Sequence, residues 1–156
     1  MMSTGDGESV AAVAARGMAA RDLAAATEGI RGTVPIHHAM GLAVVEVDED
    51  RIVMTMELTD AVRGAAEGSI HGGLLATFAD AASAMVLTGS FEPDAQIPVT
   101  TDIHVRYYRQ PKGGPLAAEA RVVHRGRRIL STECSIVDAE QRVLARSTAT
   151  YMIVPL

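Results

Sequence analysis

The sequence contains no tryptophan, and aromatic residues make up only 3% of its 156 residues. A protein that binds single-stranded nucleic acid by stacking needs a series of exposed rings, which this composition does not supply. Positive charge is also scarce, because 14 lysines and arginines stand against 19 acidic residues and give a formal net charge of -5. These shortages argue against a nucleic-acid partner and against a general attraction to anionic membranes.

Cysteine and long hydrophobic runs are scarce as well. The single cysteine, Cys134, cannot form an internal disulfide, and it lies in the alternating run ILSTECSIV, which is typical of a small buried side chain. The most apolar run, residues 74–87, contains a threonine, an aspartate and a serine and is too short to span a bilayer. We therefore expect a cytoplasmic protein that does not enter the membrane.

The hydrophobic pattern predicts one main domain with an N-terminal extension. The chain is long enough to bury one core, which we expect over residues 34–156. The extension, residues 1–33, is rich in alanine at helical spacing over residues 8–30, and this predicts a helix. A frayed tail is the alternative, because alanines bury little area.

Beyond the extension, the pattern predicts an α+β fold. Residues 42–47 and 51–58 alternate with a period of two and predict a β-hairpin. Residues 74–87 are apolar on every side and predict a buried helix that begins near two glycines. Four more alternating segments follow, at residues 97–109, 116–124, 129–137 and 143–154. We expect these four to form an antiparallel meander, and a second subunit to cover the remaining apolar surface of the helix.

Asp80 is the only ionisable side chain between His71 and Glu92. A carboxylate in an apolar helix is costly unless it has a partner. A structural reading pairs it with the hydroxyl of Thr77 or Ser83, each within one helical turn. The reading that we favour makes the carboxylate a general base or a nucleophile, and the sequence does not choose between these two roles. No histidine or cysteine spacing typical of a metal site is present, so we expect no metal ion.

The segment SIHGGLLATFADAASA, together with the order of predicted elements, resembles the hotdog-fold acyl-CoA thioesterases of the phenylacetate-degradation and thioesterase superfamily member 2 types. The resemblance covers about residues 34–156 and continues through the motif YRQP and a Gly-Arg corner. It implies an antiparallel sheet wrapped around one long central helix, and a homodimer, assembling further into a homotetramer, that forms through the sheet and the helix. The implied reaction hydrolyses acyl-CoA to CoA and a carboxylic acid, with no cofactor because CoA is part of the substrate.

The resemblance also implies roles for individual residues. Asp80 matches the catalytic carboxylate, and the backbone N–H of Gly72 matches the group that polarises the thioester. Gly73 opens the helix, His71 is the histidine of the motif, and Thr100 matches a hydroxyl that orients water. Read by simple alternation, Thr100 falls on the polar face of its strand.

One position departs from the family pattern. Many members have Asn or Gln six residues before the motif histidine, and here that residue is Ala65. The second polarising group is then either absent or supplied by His71. A non-catalytic acyl-thioester-binding module is an alternative function, and an acyl-thioester hydratase or dehydratase is another. The carboxylate of Asp80 favours hydrolysis, and the lack of a histidine after it in the helix argues against a hydratase.

Dense positive charge occurs in only two short segments, RQPKGG and HRGRR. The CoA nucleotide carries phosphates, for which arginine is a preferred partner. We therefore expect CoA contacts from Arg109, Arg125, Gly126 and Arg127. For any one of these residues, a solvated turn is the alternative.

Overall fold

A computed structural model describes residues 20–156. Its helices are α1 (Ala20–Thr33), α2 (Pro35–Ala39) and α3 (Gly72–Met85), and its strands are β1 (Ala43–Val47), β2 (Arg51–Met56), β3 (Gln96–Tyr107), β4 (Leu116–Arg125), β5 (Ile129–Val137) and β6 (Val143–Pro155). The predicted helix of the extension is present from residue 20, and its earlier part lies outside the described residues. The boundary between residues 33 and 34 stays a prediction. Within residues 20–156, no helix is long and apolar enough to cross a membrane.

The strands form one antiparallel six-stranded sheet in the order β1-β2-β4-β5-β6-β3. Helix α3 lies on one face of this sheet and contacts all strands from β2 to β6. The predicted antiparallel sheet around a central helix is therefore confirmed. The predicted four-stranded meander is wrong, because β3 pairs with β6 at the far edge and not with β4. An alternating sequence predicts which side chains lie on each face of a strand, but it does not predict which strand pairs with it. The hydrophobic pattern therefore gave no sign that residues 108–115 cross from β3 to the distant strand β4.

Asp138 holds this crossover in place at the turn between β5 and β6. Its buried carboxylate accepts hydrogen bonds from the backbone N–H groups of Lys112, at 3.3 Å, and of Glu140 and Arg142. It also pairs with the guanidinium of Arg142. Burial alone would raise the pKa of Asp138, but the donors of Arg142 and Lys112 outweigh it and hold this pKa at about 2. The crossover is thus tied to the sheet by a charged group.

Small side chains on the central strands let α3 approach the sheet closely. Phe78 points into this layer and is completely buried. Alanines occupy four buried positions of the strands beneath the helix: Ala118, Ala120, Ala145 and Ala149. Because each lacks a bulky side chain, they leave room for Phe78 between the helix and the sheet. The opposite side of α3 is less covered, and Leu74, Thr77 and Asp80 are only partly buried.

The two edges of the sheet differ in how they are covered. At β1, helix α1 packs alongside, and the side-chain oxygen of Thr27 accepts a hydrogen bond from the backbone N–H of Val44 at 2.9 Å. Ile30 of the same helix belongs to the core. At the other edge, β3 has 12 residues and pairs only with β6 among the described residues, and Ile97 and Val99 are 44% and 43% exposed. A long edge strand that exposes apolar side chains is a natural place for another strand to pair.

Candidate active site

The Asp80 carboxylate is held at one oxygen and open at the other. Its Oδ1 accepts a hydrogen bond from Thr100 Oγ1 at 2.9 Å and another from the Tyr151 hydroxyl at 2.7 Å. Its Oδ2 has no hydrogen-bond partner within residues 20–156. The side chain is therefore fixed in orientation and keeps a free oxygen for chemistry.

The hydroxyls on α3 do not bond to this carboxylate. Thr77 donates to the backbone oxygen of Gly73 at 3.0 Å, as threonines in helices often do. Ser83 is fully buried, and its hydroxyl lies near that of Tyr151 but meets hydrogen-bond geometry with no residue in the described part of the chain. Thr77 and Ser83 are thus not the partners of Asp80, although two other hydroxyls, those of Thr100 and Tyr151, do satisfy it.

A β-bulge brings Thr100 to the helix. In the pairing of β3 with β6, Thr100 lies opposite Tyr151 and Asp102 lies opposite Thr150, so Thr101 is an extra residue. The extra residue reverses the alternation of the strand. Thr100 therefore faces Asp80, whereas His104 opens onto the outer face of the sheet, opposite α3. Placing Thr100 on the outer, polar face by simple alternation was wrong.

His71 caps the N-terminus of α3. Its Nδ1 accepts a hydrogen bond from the Gly73 N–H at 3.0 Å, and its backbone oxygen accepts from the Leu74 N–H. The Gly72 N–H has no acceptor within residues 20–156. The helix entry therefore presents one free donor at the positive end of the helix dipole. Because Nδ1 of His71 is occupied by the cap, only its Nε2 can serve a ligand.

Tyr107 and Gln110, which the sequence did not single out, hold the helix entry. The Tyr107 hydroxyl donates to the backbone oxygen of Gly72 at 3.0 Å, and a Cβ at Gly72 would lie 3.7 Å from this ring. The Gln110 Oε1 accepts from the Ile70 N–H at 2.9 Å. Both residues lie at the end of β3 or just beyond it, so the crossover segment and the entry of α3 form one unit.

His37 on α2 lies near Asp80 without bonding to it. Burial lowers the pKa of His37, and a hydrogen bond to Ile30 and the charge of Asp80 only partly oppose this. Its Nδ1 is buried and has no hydrogen-bond partner among the described residues. No imidazole in residues 20–156 hydrogen-bonds to Asp80, so the Asp-His pair that a hydratase needs is not formed there.

A family model for the thioesterase superfamily matches residues 67–145, a range that includes α3 and Thr100 but ends before Tyr151. The chain belongs to the thioesterase superfamily. It is accordingly a thioester hydrolase, and the resemblance inferred from the helix motif is confirmed.

Individual relatives agree with this membership. The chain is 23% identical to the medium/long-chain acyl-CoA thioesterase YigI of Escherichia coli over 133 residues, which cover 77% of this chain and 86% of that protein. The thioesterase HI1161 of Haemophilus influenzae superposes with a TM-score of 0.74 at 21% identity, covering 83% of this chain and 88% of the other. The Escherichia coli PaaI protein from the phenylacetic acid degradation operon gives a TM-score of 0.70 at 23% identity, with coverage of 86% and 92%. The two structural likenesses show the fold.

The basic segments of this thioesterase lie at opposite ends of α3. Arg109 lies two residues after Tyr107, whose hydroxyl contacts the helix entry, and the Arg109 side chain is exposed. Arg125 lies near the other end, where its guanidinium contacts Asp50 and the hydroxyl of Ser90. Its neighbour Arg127 is exposed. A single ligand that contacted both basic segments of one chain would therefore have to extend along the full length of α3.

Gly126 has a structural reason for being glycine. Its N–H donates to the Ile129 backbone oxygen at 3.0 Å, and an added Cβ would lie only 2.6 Å from that oxygen. The turn between β4 and β5 therefore depends on it. Its predicted contact with CoA stays a prediction.

Cys134 is not a nucleophile at this site. It is buried on β5, as its alternating run predicted. Burial, and to a lesser degree the charge of Glu119, raise the pKa of this thiol to about 12. The reactive thiolate is therefore suppressed near neutral pH.

Proposed function

We propose that this thioester hydrolase acts on acyl-CoA and releases CoA and a carboxylic acid, with Asp80 as the catalytic carboxylate. The observation that carries the proposal is the hydrogen bonding of this carboxylate: two donors fix Oδ1, while Oδ2 has no hydrogen-bond partner within residues 20–156. The name of the Escherichia coli relative supports acyl-CoA as the substrate class.

The active site is shared between two subunits. Gly72 and Asp80 are eight residues apart on α3, which separates them by roughly 12 Å at about 1.5 Å per residue. A base and an oxyanion donor must each lie within about 3 Å of the reacting group, so both residues of one chain cannot serve the same thioester. If two copies pair along β3, a two-fold axis sets their α3 helices antiparallel. Asp80 of one copy then approaches Gly72 of the other.

The unpaired β3 edge and the partly covered side of α3 support this dimer. Both surfaces carry apolar side chains, Ile97 and Val99 on the strand and Leu74 on the helix. The N–H of Gly72, which has no acceptor within residues 20–156, would donate a hydrogen bond to the thioester oxygen as negative charge develops on that oxygen during attack. The position of Ala65 supplies no second side-chain donor for this oxygen, so the Nε2–H of His71 is the available candidate.

The carboxylate can act in two ways. As a base, Oδ2 takes a proton from water while the water oxygen bonds to the carbonyl carbon, and the departing thiolate then receives that proton. As a nucleophile, Oδ2 bonds to the carbonyl carbon while the C–S bond breaks and CoA leaves as a thiolate. Water then cleaves the mixed anhydride, which releases the carboxylic acid and regenerates the Asp80 carboxylate. We favour the base. The Thr100 hydroxyl gives its hydrogen to Asp80 and so has lone pairs left to accept a hydrogen bond from the water.

The same dimer would bring the two basic segments together. With antiparallel helices, the Arg127 end of one α3 lies beside the Arg109 end of the other. Both guanidiniums would then be within reach of one CoA nucleotide. Arg125 is the weaker candidate because Asp50 and Ser90 already engage it.

A homotetramer would need a second contact surface, and the outer face of the sheet offers one. This face carries a concavity of about 450 Å³. Arg106 and Arg146 lie directly opposite each other in it, and Glu133 lies nearby. Because this face carries both positive and negative side chains, two copies related by a two-fold axis can place the arginines of one copy against the glutamate of the other.

Thiol release from a panel of acyl-CoAs of increasing chain length, followed with a disulfide dye, tests the proposed function. We expect release well above the buffer rate for at least one chain length, and the preferred length identifies the substrate. If the folded protein releases thiol from none of them, acyl-CoA is not its substrate.

A further inference from the structure

Tyr151 is the closest partner of the proposed catalytic carboxylate. It lies on the inner face of β6 and is completely buried. Its hydroxyl donates to Asp80 Oδ1 at 2.7 Å, and the backbone oxygen of Asp80 lies 3.1 Å from the same phenol oxygen. A phenol has one proton, so the contact to the charged oxygen, which is also the shorter, is the stronger hydrogen bond.

A buried phenol at this position is not needed for packing alone. Its neighbours on the same face of the strand, Ala149 and Ile153, are apolar, and phenylalanine would fill nearly the same space. Burial first, and then the charge of Asp80, raise the pKa of Tyr151, so the phenol keeps its proton at every pH where the protein would work. Tyr151 is therefore a permanent donor to the carboxylate.

We propose that Tyr151 is a positioning residue for hydrolysis, which fixes the Asp80 carboxylate through Oδ1 so that Oδ2 points to the reacting carbon. It acts together with Thr100, its cross-strand neighbour in β3, and the β-bulge at Thr101 brings the two donors to the same oxygen. The side chain of Thr100 is exposed and can contact water, whereas Tyr151 is completely buried and so does not contact the substrate. The inference rests on the proposed function of Asp80.

The test is Tyr151→Phe, which removes the donor and conserves the ring. Loss of a hydrogen bond to a charged group should lower kcat of this variant by about tenfold or more, while its KM should change less than about twofold. Tyr108→Phe, a matched loss of an exposed phenol hydroxyl outside the site, should leave kcat and KM unchanged.

Coupling to Asp80 separates positioning from general damage to the fold. In an Asp80→Asn background, Tyr151→Phe should change the residual rate by less than about twofold, because the group that it positions is already lost. A full further tenfold loss in that background, or an unchanged kcat in the single variant, would overturn the proposal.

A second readout does not depend on activity. Carbon NMR of the protein with labelled aspartate carboxyls, with the Asp80 signal assigned from its loss in Asp80→Asn, reports the hydrogen bonding of this carboxylate at one fixed, neutral pH. Its chemical shift should change in Tyr151→Phe and stay in place in Tyr108→Phe. If the parent protein hydrolyses no acyl-CoA but this signal still moves, the proposed function fails while the contact stands. If the signal does not move, the proposal for Tyr151 fails whatever the activity.

Discussion

Two inactive variants should restore each other's activity if the site is shared between subunits. Asp80→Ala removes the carboxylate, and Gly72→Val places a branched side chain at the free N–H of the helix entry. A single Cβ at Gly72 would make ordinary contact with the Tyr107 ring at 3.7 Å, so we expect the larger side chain to block ligand approach without preventing folding. Each variant alone should be nearly inactive, because both sites of its homodimer contain the same defect.

The expected recovery follows from the geometry of α3. In a mixed dimer, one site combines both defects and the other combines the intact Asp80 of one chain with the intact Gly72 of its partner. Random pairing makes half of the dimers mixed, and one site in two is intact in each, so activity should reach roughly a quarter of the parent value. If the groups acted within one chain, every site would carry a defect and no activity would return.

The assay is thiol release from the preferred acyl-CoA after the two variants are partly unfolded together and refolded. Differently tagged chains, purified through both tags, show that subunits have exchanged. Gly32→Val is the matched control, since Gly32 lies on α1 outside both basic segments and a Cβ there would meet no atom within 4 Å, and this variant should be as active as the parent. No recovery in dimers shown to be mixed would refute the shared site.

Three further predictions concern stability and substrate binding. Asp138 has its pKa held at about 2, below its usual 3.8, so its contribution to stability is complete above pH about 4 and is lost as pH falls towards 2. Asp138→Asn should therefore lower the urea midpoint at pH 7, and the difference from the parent should disappear near pH 2; a constant difference would contradict this. Ser83→Ala removes a buried hydroxyl that has no hydrogen-bond partner within residues 20–156, and it should leave the free energy of unfolding unchanged or raise it by up to about 1 kcal/mol. A clear loss of stability would show that the hydroxyl bonds to the nearby hydroxyl of Tyr151. Arg127→Glu should raise KM for acyl-CoA by roughly tenfold but not KM for a short acyl thioester without the nucleotide, and equal effects on both substrates would exclude a phosphate contact.

The elements of the fold were predictable because their periods are strong. The alternating run at residues 129–137 corresponds to β5, and the apolar run that begins at Gly72 corresponds to α3. The partner of β3 was not predictable, because a strand with an apolar and a polar face can pair with any neighbour that presents the same faces. The crossover depends on Asp138, whose role requires knowing that its turn meets Lys112 in space.

Within the candidate site, Asp80 stood out because it is a carboxylate in an apolar helix. Thr100 was named from the resemblance, but alternation gave it the wrong face because a bulge of one residue leaves no mark in a run of threonines. Tyr151 was missed because an aromatic residue on the buried face of a strand looks like ordinary core. Only the distance between its hydroxyl and Asp80 distinguishes it.

The rate of acyl-CoA hydrolysis by Asp80→Asn tests the central claim most directly. The amide keeps the size of the side chain and an oxygen that can accept from Thr100 and Tyr151, but it neither takes a proton from water nor attacks a thioester. We expect kcat to fall by about 10² or more with the thermal unfolding midpoint nearly unchanged. Hydrolysis at the parent rate by this variant would show that Asp80 is structural and that the reaction takes place elsewhere.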